Sequence, residues 1–342
     1  MVSLAIRAVL VSIILTLVES SWAAVSCHEL FSAPQSVHVV ERQSEYALRS
    51  GFRLSRQQVN EMAAVIRDVN GIVEPFLKIP DDVNLEIYDQ YNLTRADSAT
   101  NTIYIGYYRG LARYSDRSGF VDGIPGYKKS PRISRAILAH EYGHLLLDAN
   151  LGAAKEILME ARNNPLINQL TYGDQKLTEA KWAAKKRRDV LWLVRSGYHE
   201  LFADVVAAVY ARDLRIMSDA INFQTGPLSG EHISELLDFE RRTSIELSPE
   251  EKDDVHTQMN VARRYVGTHY LNRMMKPTLG RARFLKILAR AIDDEIVEIA
   301  NRSDLSMVAE ALSPFKIRED NSVLLELNQR LIQRMNTLAK QI

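Results

Sequence analysis

The alternation of apolar and polar residues predicts an α+β protein that is predominantly α-helical. Residues 54–71 carry apolar side chains at helical spacing, and Gly71 closes the segment. Residues 83–88 and 101–108 alternate between apolar and polar side chains, which predicts two strands of a small sheet. We expect this sheet to precede the helix described next.

The segment from Ser130 to Gly152 predicts a long helix. Ser130 is a favourable N-cap, and Pro131 suits the first helical position, because the N–H that it lacks would have no partner there. Gly152 can end the helix. Apolar residues lie on more than one face between these ends, so we expect the helix to be buried.

The next part of the chain predicts more helix. Residues 153–195 have a helical pattern with breaks near Asn164 and Gly173. Ser196 then predicts the N-cap of a separate and strongly apolar helix, which extends to residue 213.

The last third of the chain begins with a polar connection and ends in helices. Residues 214–251 predict that connection, with one short helix at 233–241. Helical patterns resume at residue 253, and two amphipathic helices are predicted at 281–300 and 321–340.

The predicted buried helix contains the residues His-Glu-Tyr-Gly-His at 140–144, an H-E-x-x-H motif. Residues four apart on a helix lie on one face, with Cβ atoms roughly 5–6 Å apart. The imidazoles of His140 and His144 can therefore bind one Zn²⁺, at about 2.0–2.1 Å from each nitrogen. Glu141 would then lie beside the open position of the metal, where its carboxylate can take a proton from bound water.

The motif by itself has an alternative explanation. The same pattern arises by chance on the order of once in a hundred chains of this size and histidine content. A metal site also needs a third protein ligand. Leu147 and Asn150 occupy the positions where metzincins place Gly and His, so the sequence disfavours that class.

A second pattern supplies a candidate for the missing ligand. The apolar segment 196–213 carries two acidic residues, Glu200 and Asp204, four positions apart. Like charges at that spacing repel each other on a helix, and burying them without partners costs more still. A cation and an imidazole would resolve both problems. We therefore interpret Glu200 as the third zinc ligand and Asp204 as the acceptor that orients a ligand histidine. The alternative is an acidic edge that faces solvent.

The H-E-Y-G-H sequence at 140–144, followed by E-L-F-A-D at 200–204, resembles the gluzincin zinc metallopeptidases. The second motif is similar to that of the exported bacterial relatives of the CAAX-prenyl-protease-like peptidases. Thermolysin-type enzymes share the ligand set but place the glutamate closer to the helix. The resemblance implies a zincin-like fold with Glu141 as the general base. It also implies three zinc ligands, which are His140, His144 and Glu200.

The resemblance also suggests where a substrate would bind. In zincins an edge strand of the small sheet pairs with extended substrate through backbone hydrogen bonds. Residues 101–108 are the candidate for that strand, and an interior strand without substrate contact is the alternative. Nearby aromatic residues either line a substrate cleft or hold the following loop in place: Tyr107, Tyr108, Tyr114 and Phe120.

Gluzincins usually have a downstream residue that stabilises the oxyanion of the tetrahedral intermediate. His256 and Arg263 are the first candidates, since they loosely resemble a His-then-Arg pair in the prenyl-protease-like branch. The proline that follows the histidine in that branch is absent here, and the spacing differs by one. His269 and Tyr270 are the second candidates. Ordinary surface or packed side chains are the alternative for all of them.

Residues 1–26 predict an export signal. Arg7 supplies the positive start, and residues 8–18 form an apolar stretch that is short for a membrane span. The residues before Cys27 loosely fit a lipoprotein-type cleavage site, so Cys27 is a candidate lipid anchor. Ordinary signal-peptide cleavage at this junction and a retained membrane anchor are the alternatives. The chain has one cysteine, so it cannot form an intrachain disulfide.

Charge limits the classes of partner. The chain has 43 basic and 43 acidic residues, which indicates neither a nucleic-acid partner nor a polybasic membrane surface. The basic run at 185–188 predicts a solvated helix face. After the signal, residues 27–342 are expected to form one metallopeptidase domain. Its parts are an N-terminal helix and sheet at 27–130, the zinc-site helices at 131–213, and a helical C-terminal part at 214–342.

These patterns predict an exported zinc-dependent endopeptidase that acts on a peptide or protein. We expect it in the periplasm, anchored to the outer membrane or secreted. One alternative is a zinc amidohydrolase that acts on cell-wall material. The other is a non-catalytic metal-binding surface lipoprotein. The sequence makes no prediction about oligomeric state.

Overall fold

The computed structural model describes a predominantly helical chain with a small mixed sheet, which confirms the α+β class. The description covers these residues: 24–32, 35–43, 56–88, 94–108, 124–125, 131–168, 178–225, 258–272, 278–305, 307–308 and 322–341. The chain divides into two compact units. The first comprises Met1–Ala64 and Asp81–Pro131, and the second Val65–Pro80 and Arg132–Ile342.

The first unit contains the sheet. Its strands are β1 (Ala24–Ser32), β2 (Gln35–Gln43), β3 (Asp82–Tyr88), β4 (Arg95–Asp97), β5 (Thr102–Tyr108) and β6 (Ile124–Pro125). The strand order is β1-β2-β3-β5-β4, and β6 pairs with the end of β5. The β1–β2 and β4–β5 pairs are antiparallel, whereas β2–β3, β3–β5 and β5–β6 are parallel.

One face of the sheet is apolar because alternate residues of its strands are buried. In the strand register Val39 lies opposite Leu85, and Leu85 lies opposite Ile103. All three side chains are at most 1% exposed. Side chains alternate between the two faces of a strand, so this row of residues shares one face.

The two predicted strands exist, and of the two alternatives for the second the structure shows the interior strand and not the edge strand. β5 lies between β3 and β4, and its last two residues pair with β6. The backbone N–H and C=O groups of β5 therefore pair with neighbouring strands over most of its length. The sequence reading also missed β1 and β2. Residues 24–26 of the predicted export signal lie in β1, and residues 1–23 lie outside the described part.

Helix α1 (Arg56–Val73) begins in the first unit and ends in the second. The remaining helices belong to the second unit: α2 (Pro131–Asn150), α3 (Ala153–Arg162), α4 (Pro165–Asn168), α5 (Glu179–Ala211), α6 (Ile216–Thr225), α7 (Asn260–Val266), α8 (Thr278–Ala300) and α9 (Ser322–Gln341). A π-helical turn (Gly267–Leu271) follows α7 directly.

Several predicted helix boundaries differ from the observed ones. α1 continues beyond Gly71 to Val73, so this glycine lies inside the helix. α2 begins at Pro131 as predicted and ends two residues before Gly152, where the backbone φ is −92° rather than left-handed. α6 lies in the segment predicted to be a polar connection, and the short helix predicted at 233–241 lies outside the described residues.

The largest boundary error concerns Ser196, which does not start a helix. α5 runs without interruption from Glu179 to Ala211, and its N-cap is Thr178, whose side chain accepts a bond from the Lys181 N–H. The Ser196 hydroxyl instead donates to the carbonyl of Trp192, 2.9 Å away. Serine can make this bond one turn back along a helix, so its presence does not require a helix end.

The buried apolar residues of α2, α5 and α8 form the core of the second unit. Twelve residues of α2 are buried, which confirms the prediction of a buried helix. In α5 every residue from 201 to 209 is buried, whereas its N-terminal half keeps exposed side chains. The apolar stripe of α8 includes Phe284, Leu288 and Ile292, each 0% exposed. Glu200 therefore sits at the start of the buried half of α5.

Candidate metal centre

The candidate centre is formed where α2 and α5 approach each other closely. A Cβ atom added at Gly143 would lie 2.7 Å from the Cα of Ala203, closer than real Cβ contacts come. The absence of a side chain at Gly143 therefore allows the two backbones to touch. Gly143 precedes His144 directly, and Ala203 lies between Glu200 and Asp204. The contact thus brings the two sequence motifs face to face.

Three potential ligand groups meet at this contact. The Nε2 atom of His140 lies 3.3 Å from Glu200 Oε2, and that of His144 lies 3.7 Å from Glu200 Oε1. One ligand atom from each of the three side chains can be chosen so that all lie within 4.8 Å of one another. Ligand atoms around a tetrahedral zinc ion lie about 3.3 Å apart. The donor set and its spacing therefore fit a divalent cation.

His140 is held in the orientation that a metal ligand needs. Its Nδ1 lies 2.9 Å from Asp204 Oδ1, which leaves Nε2 directed at Glu200. A carboxylate that accepts the Nδ1 proton fixes the tautomer in which Nε2 carries a free lone pair. The structure thus brings the Asp204 carboxylate within contact distance of the ligand histidine, on the side of the ring that faces away from Glu200.

Asp204 is itself held by a buried arginine. Arg263 of α7 is 0% exposed and donates from Nη2 to Asp204 Oδ2. Its Nη1 donates to Asn260 Oδ1 at 2.6 Å. Burial would raise the pKa of Asp204, but the charge of Arg263 and the contact with His140 hold that pKa below its ordinary value. Asp204 is therefore ionised at neutral pH.

The two imidazoles differ in their electrostatics. Burial would lower the pKa of His140, but its contacts with Asp204 and Glu200 outweigh this and hold that pKa well above its ordinary value. Burial lowers the pKa of His144 to about 3. The carboxylates thus favour a positive charge at His140, whereas His144 presents a neutral ring. A divalent cation bound among the three groups would supply the charge that the proton on His140 supplies without it.

A second group of polar side chains lies behind His144. The rings of His144 and His199 stack with centroids 5.8 Å apart. His199 Nε2 lies 3.1 Å from Asp148 Oδ1, and Arg195 Nη2 donates to Asp148 Oδ2 at 2.6 Å. Asp148 follows His144 by one helical turn, and Arg195 precedes His199 by one turn. This spacing was visible in the sequence, although the sequence reading did not use it.

The structure changes the role expected of Arg263. A residue that stabilises an oxyanion must reach the substrate, but this guanidinium is fully buried and bonds to Asp204 and Asn260. We therefore correct its interpretation: Arg263 positions Asp204. The other first candidate, His256, lies outside the described residues, so that interpretation stays a prediction.

The remaining candidates lie in several parts of the chain. Glu141 is buried in α2, at 8% exposure. Tyr270 donates its hydroxyl proton to Asn336 at 2.7 Å, and the ring of His269 is exposed and stacks on Tyr265. Residues 109–123 lie outside the described part, and with them Tyr114 and Phe120. The other two predicted aromatic residues, Tyr107 and Tyr108, end β5, where their backbones pair with Ile124 and Pro125. Cys27 lies in β1, where its backbone pairs with Val40.

No protein-family model, no curated protein and no solved structure matches this chain significantly. Within the described residues, no helix has both the length and the apolar character needed to cross a membrane.

Proposed function

We propose that this protein is a zinc-dependent metallopeptidase with a zincin-like active site. The observation that carries the proposal is the meeting of His140, His144 and Glu200 from two helices. Their potential ligand atoms lie within 4.8 Å of one another. The sequence motif alone placed two imidazoles on one helix face. The approach of α5 adds the carboxylate that such a site needs.

The metal would be held by His140 Nε2, His144 Nε2 and the carboxylate of Glu200. Two imidazoles with one carboxylate form a ligand set that suits zinc, and three protein ligands leave a position open for water. When bound, zinc would lower the pKa of that water and polarise the carbonyl group of a substrate.

The chain's own residues would carry the proton transfers. Glu141 follows His140 in the motif, and its carboxylate would accept a proton from the water that attacks the scissile carbonyl carbon. As the C–N bond breaks, Glu141 would donate that proton to the departing amine. Asp204, held by Arg263, would keep His140 aligned throughout.

Export of the protein remains part of the proposal. The pattern of residues 1–26 supports a signal segment, and Cys27 remains a candidate for lipid attachment. The expected substrate is therefore a peptide or protein outside the cytoplasm.

A Glu141→Gln variant tests the proposal. We expect turnover of an unstructured protein to fall about 10²–10⁴-fold while bound zinc is kept, because only the general base is lost. Glu156→Gln, a matched change at an exposed glutamate of α3, should leave turnover unchanged. Peptide fragments identified by mass spectrometry would show that peptide bonds are cleaved.

Two outcomes would contradict the proposal. Release of products from cell-wall fragments, without cleavage of protein, would favour the amidohydrolase. A wild-type protein that binds zinc but cleaves neither substrate, and that the Glu141→Gln change does not alter, would favour the non-catalytic lipoprotein.

A further inference from the structure

The N-terminal half of α5 exposes two tryptophans. Trp182 is 56% exposed and Trp192 is 57% exposed. Tryptophan is largely buried in most soluble proteins, so two exposed indoles on one helix call for an explanation. The active-site chemistry does not use either of them.

The two indoles lie on one stripe of the helix together with charged residues. Trp182, Lys185, Asp189 and Trp192 follow the spacing i, i+3, i+7 and i+10, which repeats on one helical face. Ten residues of helix separate the indoles, so they lie about 15 Å apart along the axis. We call these four residues the Trp–Lys stripe.

The stripe lies in a strongly basic segment. Residues 179–195 contain six basic and two acidic side chains, although the whole chain is neutral. The one acid on the stripe, Asp189, accepts bonds from Lys185 Nζ at 2.6 Å and Arg188 Nη2 at 2.8 Å. Lys186 is exposed beside them. Two further acids face the segment from other helices: Glu160 lies 4.0 Å from Arg187, and Asp148 accepts a bond from Arg195. With these counted, six basic side chains still face only four acidic ones, so the surface keeps a local excess of positive charge.

We propose that the Trp–Lys stripe docks on a phospholipid bilayer whose headgroups are anionic. Indole rings favour the interface between headgroups and acyl chains, and lysines beside them are attracted to anionic lipid. Lysine side chains can also lie along apolar surface while their ammonium groups reach the headgroups. Two indoles about 15 Å apart along one helix suit a flat partner.

The docking surface and the candidate centre share one helix. Glu200 follows Trp192 by eight residues, about 12 Å along α5. A docked α5 would therefore hold the metal ligands close to the bilayer surface. The inference itself does not depend on the metal, because it rests only on the exposure and charge of the stripe.

Tryptophan fluorescence of the full chain tests the inference directly. The chain has three tryptophans, so a Trp22→Phe variant leaves Trp182 and Trp192 as the emitters. We expect phosphatidylglycerol vesicles to shift the emission to the blue and brominated acyl chains to quench it. Phosphatidylcholine vesicles should do neither. Adding Lys185→Glu and Lys186→Glu should weaken the effect at least about tenfold.

A matched control distinguishes an effect of the Trp–Lys stripe from a general effect of replacing two lysines by glutamates. Lys155→Glu with Lys340→Glu makes the same charge change at exposed lysines of α3 and α9, and it should leave the vesicle response intact. Unchanged emission with anionic vesicles would overturn the inference, even if the apolar stretch at 8–18 brings the chain to the vesicles. An equal response to both lipids would also overturn it. So would a blue shift that grows with protein concentration in the absence of vesicles, which would assign the stripe to a second copy of the chain.

Discussion

At the scale of single residues, Gly143 determines how closely the two motif helices can approach. A Cβ atom there would lie 2.7 Å from the backbone of Ala203 and 3.3 Å from the Cβ of Val206. Backbone atoms cannot rotate away as the end of a side chain can, so the helices themselves would have to separate. The distances between Glu200 and the two histidines depend on that approach.

Replacing Gly143 with alanine should therefore weaken both the fold and the centre. Overpacking of this kind costs about 1–3 kcal/mol, whereas alanine gains up to about 1 kcal/mol of helix propensity. We expect a net loss in the free energy of unfolding, measured with urea, and weaker zinc binding by calorimetry.

Gly71 provides the matched control for that change. It lies inside α1, and an added Cβ would meet nothing within 4 Å. Gly71→Ala should stabilise the protein by roughly 0.5–1 kcal/mol and leave zinc binding unchanged. If the two alanine variants had equal effects on stability and zinc affinity, the close contact at Gly143 would not shape the centre.

At the scale of secondary-structure elements, side-chain contacts link α2 to α5 and α5 to α7. His140 of α2 contacts Asp204 of α5, which bonds to Arg263 of α7. Asp204 and Arg263 are at most 1% exposed. Removing one partner of a buried ion pair leaves the other as an unpaired charge in the interior, which is strongly unfavourable.

An Arg263→Met variant should therefore be much less stable than wild type. We expect a loss of about 3–5 kcal/mol in the free energy of unfolding, because the Asp204 carboxylate keeps its burial and loses its partner. Adding Asp204→Asn removes that charge and should recover part of the stability. Zinc affinity should still fall about 10–100-fold in the double variant, because His140 has lost its ionised acceptor.

Stability and zinc affinity, measured on the same variants, distinguish a pair that positions the ligand histidine from one that only supports the fold. A double variant with recovered stability and wild-type zinc affinity would show that the Asp204–Arg263 pair supports the fold and not the ligand. Urea unfolding measures the first quantity, and calorimetric zinc titration measures the second.

The sequence predicted the parts of the centre that depend on local spacing. The helical period places His140 and His144 on one face, and the acidic pair in an apolar segment pointed to Glu200 and Asp204. Arg263 lies 59 residues after Asp204, so its role depended on a tertiary contact that no local pattern encodes. The contact of His199 with His144 likewise required the packing of two helices.

The errors in the elements also have physical causes. Ser196 looks like a helix start, but its hydroxyl bonds one turn back inside a continuous helix. Gly71 looks like a helix end, but an exposed glycine near the last turn costs only about 1 kcal/mol and α1 continues past it. β1 went unpredicted because it overlaps the segment that resembles an export signal.

At the scale of the whole molecule, each compact unit has its own stabilising contacts. In the second unit, arginines of α9 contact acidic residues of α8. Arg330 and Arg334 bond to Glu295, which is 1% exposed. Arg302, just after α8, bonds to Asp304 at 2.7 Å and to Glu326 of α9 at 2.5 Å. These contacts join the last two long helices.

The Arg302 contacts should make stability depend on pH. Hydrogen bonds from Arg302 hold the pKa of Asp304 and that of Glu326 below their ordinary values. Such carboxyls stabilise the fold at pH above their unfolded pKa, and this contribution is lost as the pH falls through the lower folded value. Both groups are more than a third exposed, so the effect should be less than about 1 kcal/mol.

An Arg302→Ala variant measures this contribution. Its deficit in the free energy of unfolding should be largest near neutral pH and should shrink below about pH 4. Arg290→Ala, at an exposed position of α8, is the control and should show no such trend. A deficit that stays constant between about pH 3 and pH 7 would exclude the ionised carboxylates as its cause.

The central claim is that three side chains from two helices bind one divalent ion. The most direct measurement is calorimetric zinc titration of the metal-stripped full chain, with Glu200→Ala and the exposed-site control Glu179→Ala. We expect one zinc ion per chain for wild type and control, and more than about 100-fold weaker binding for Glu200→Ala. Failure of the wild type to bind zinc, or equal binding by the Glu200→Ala variant, would contradict the claim.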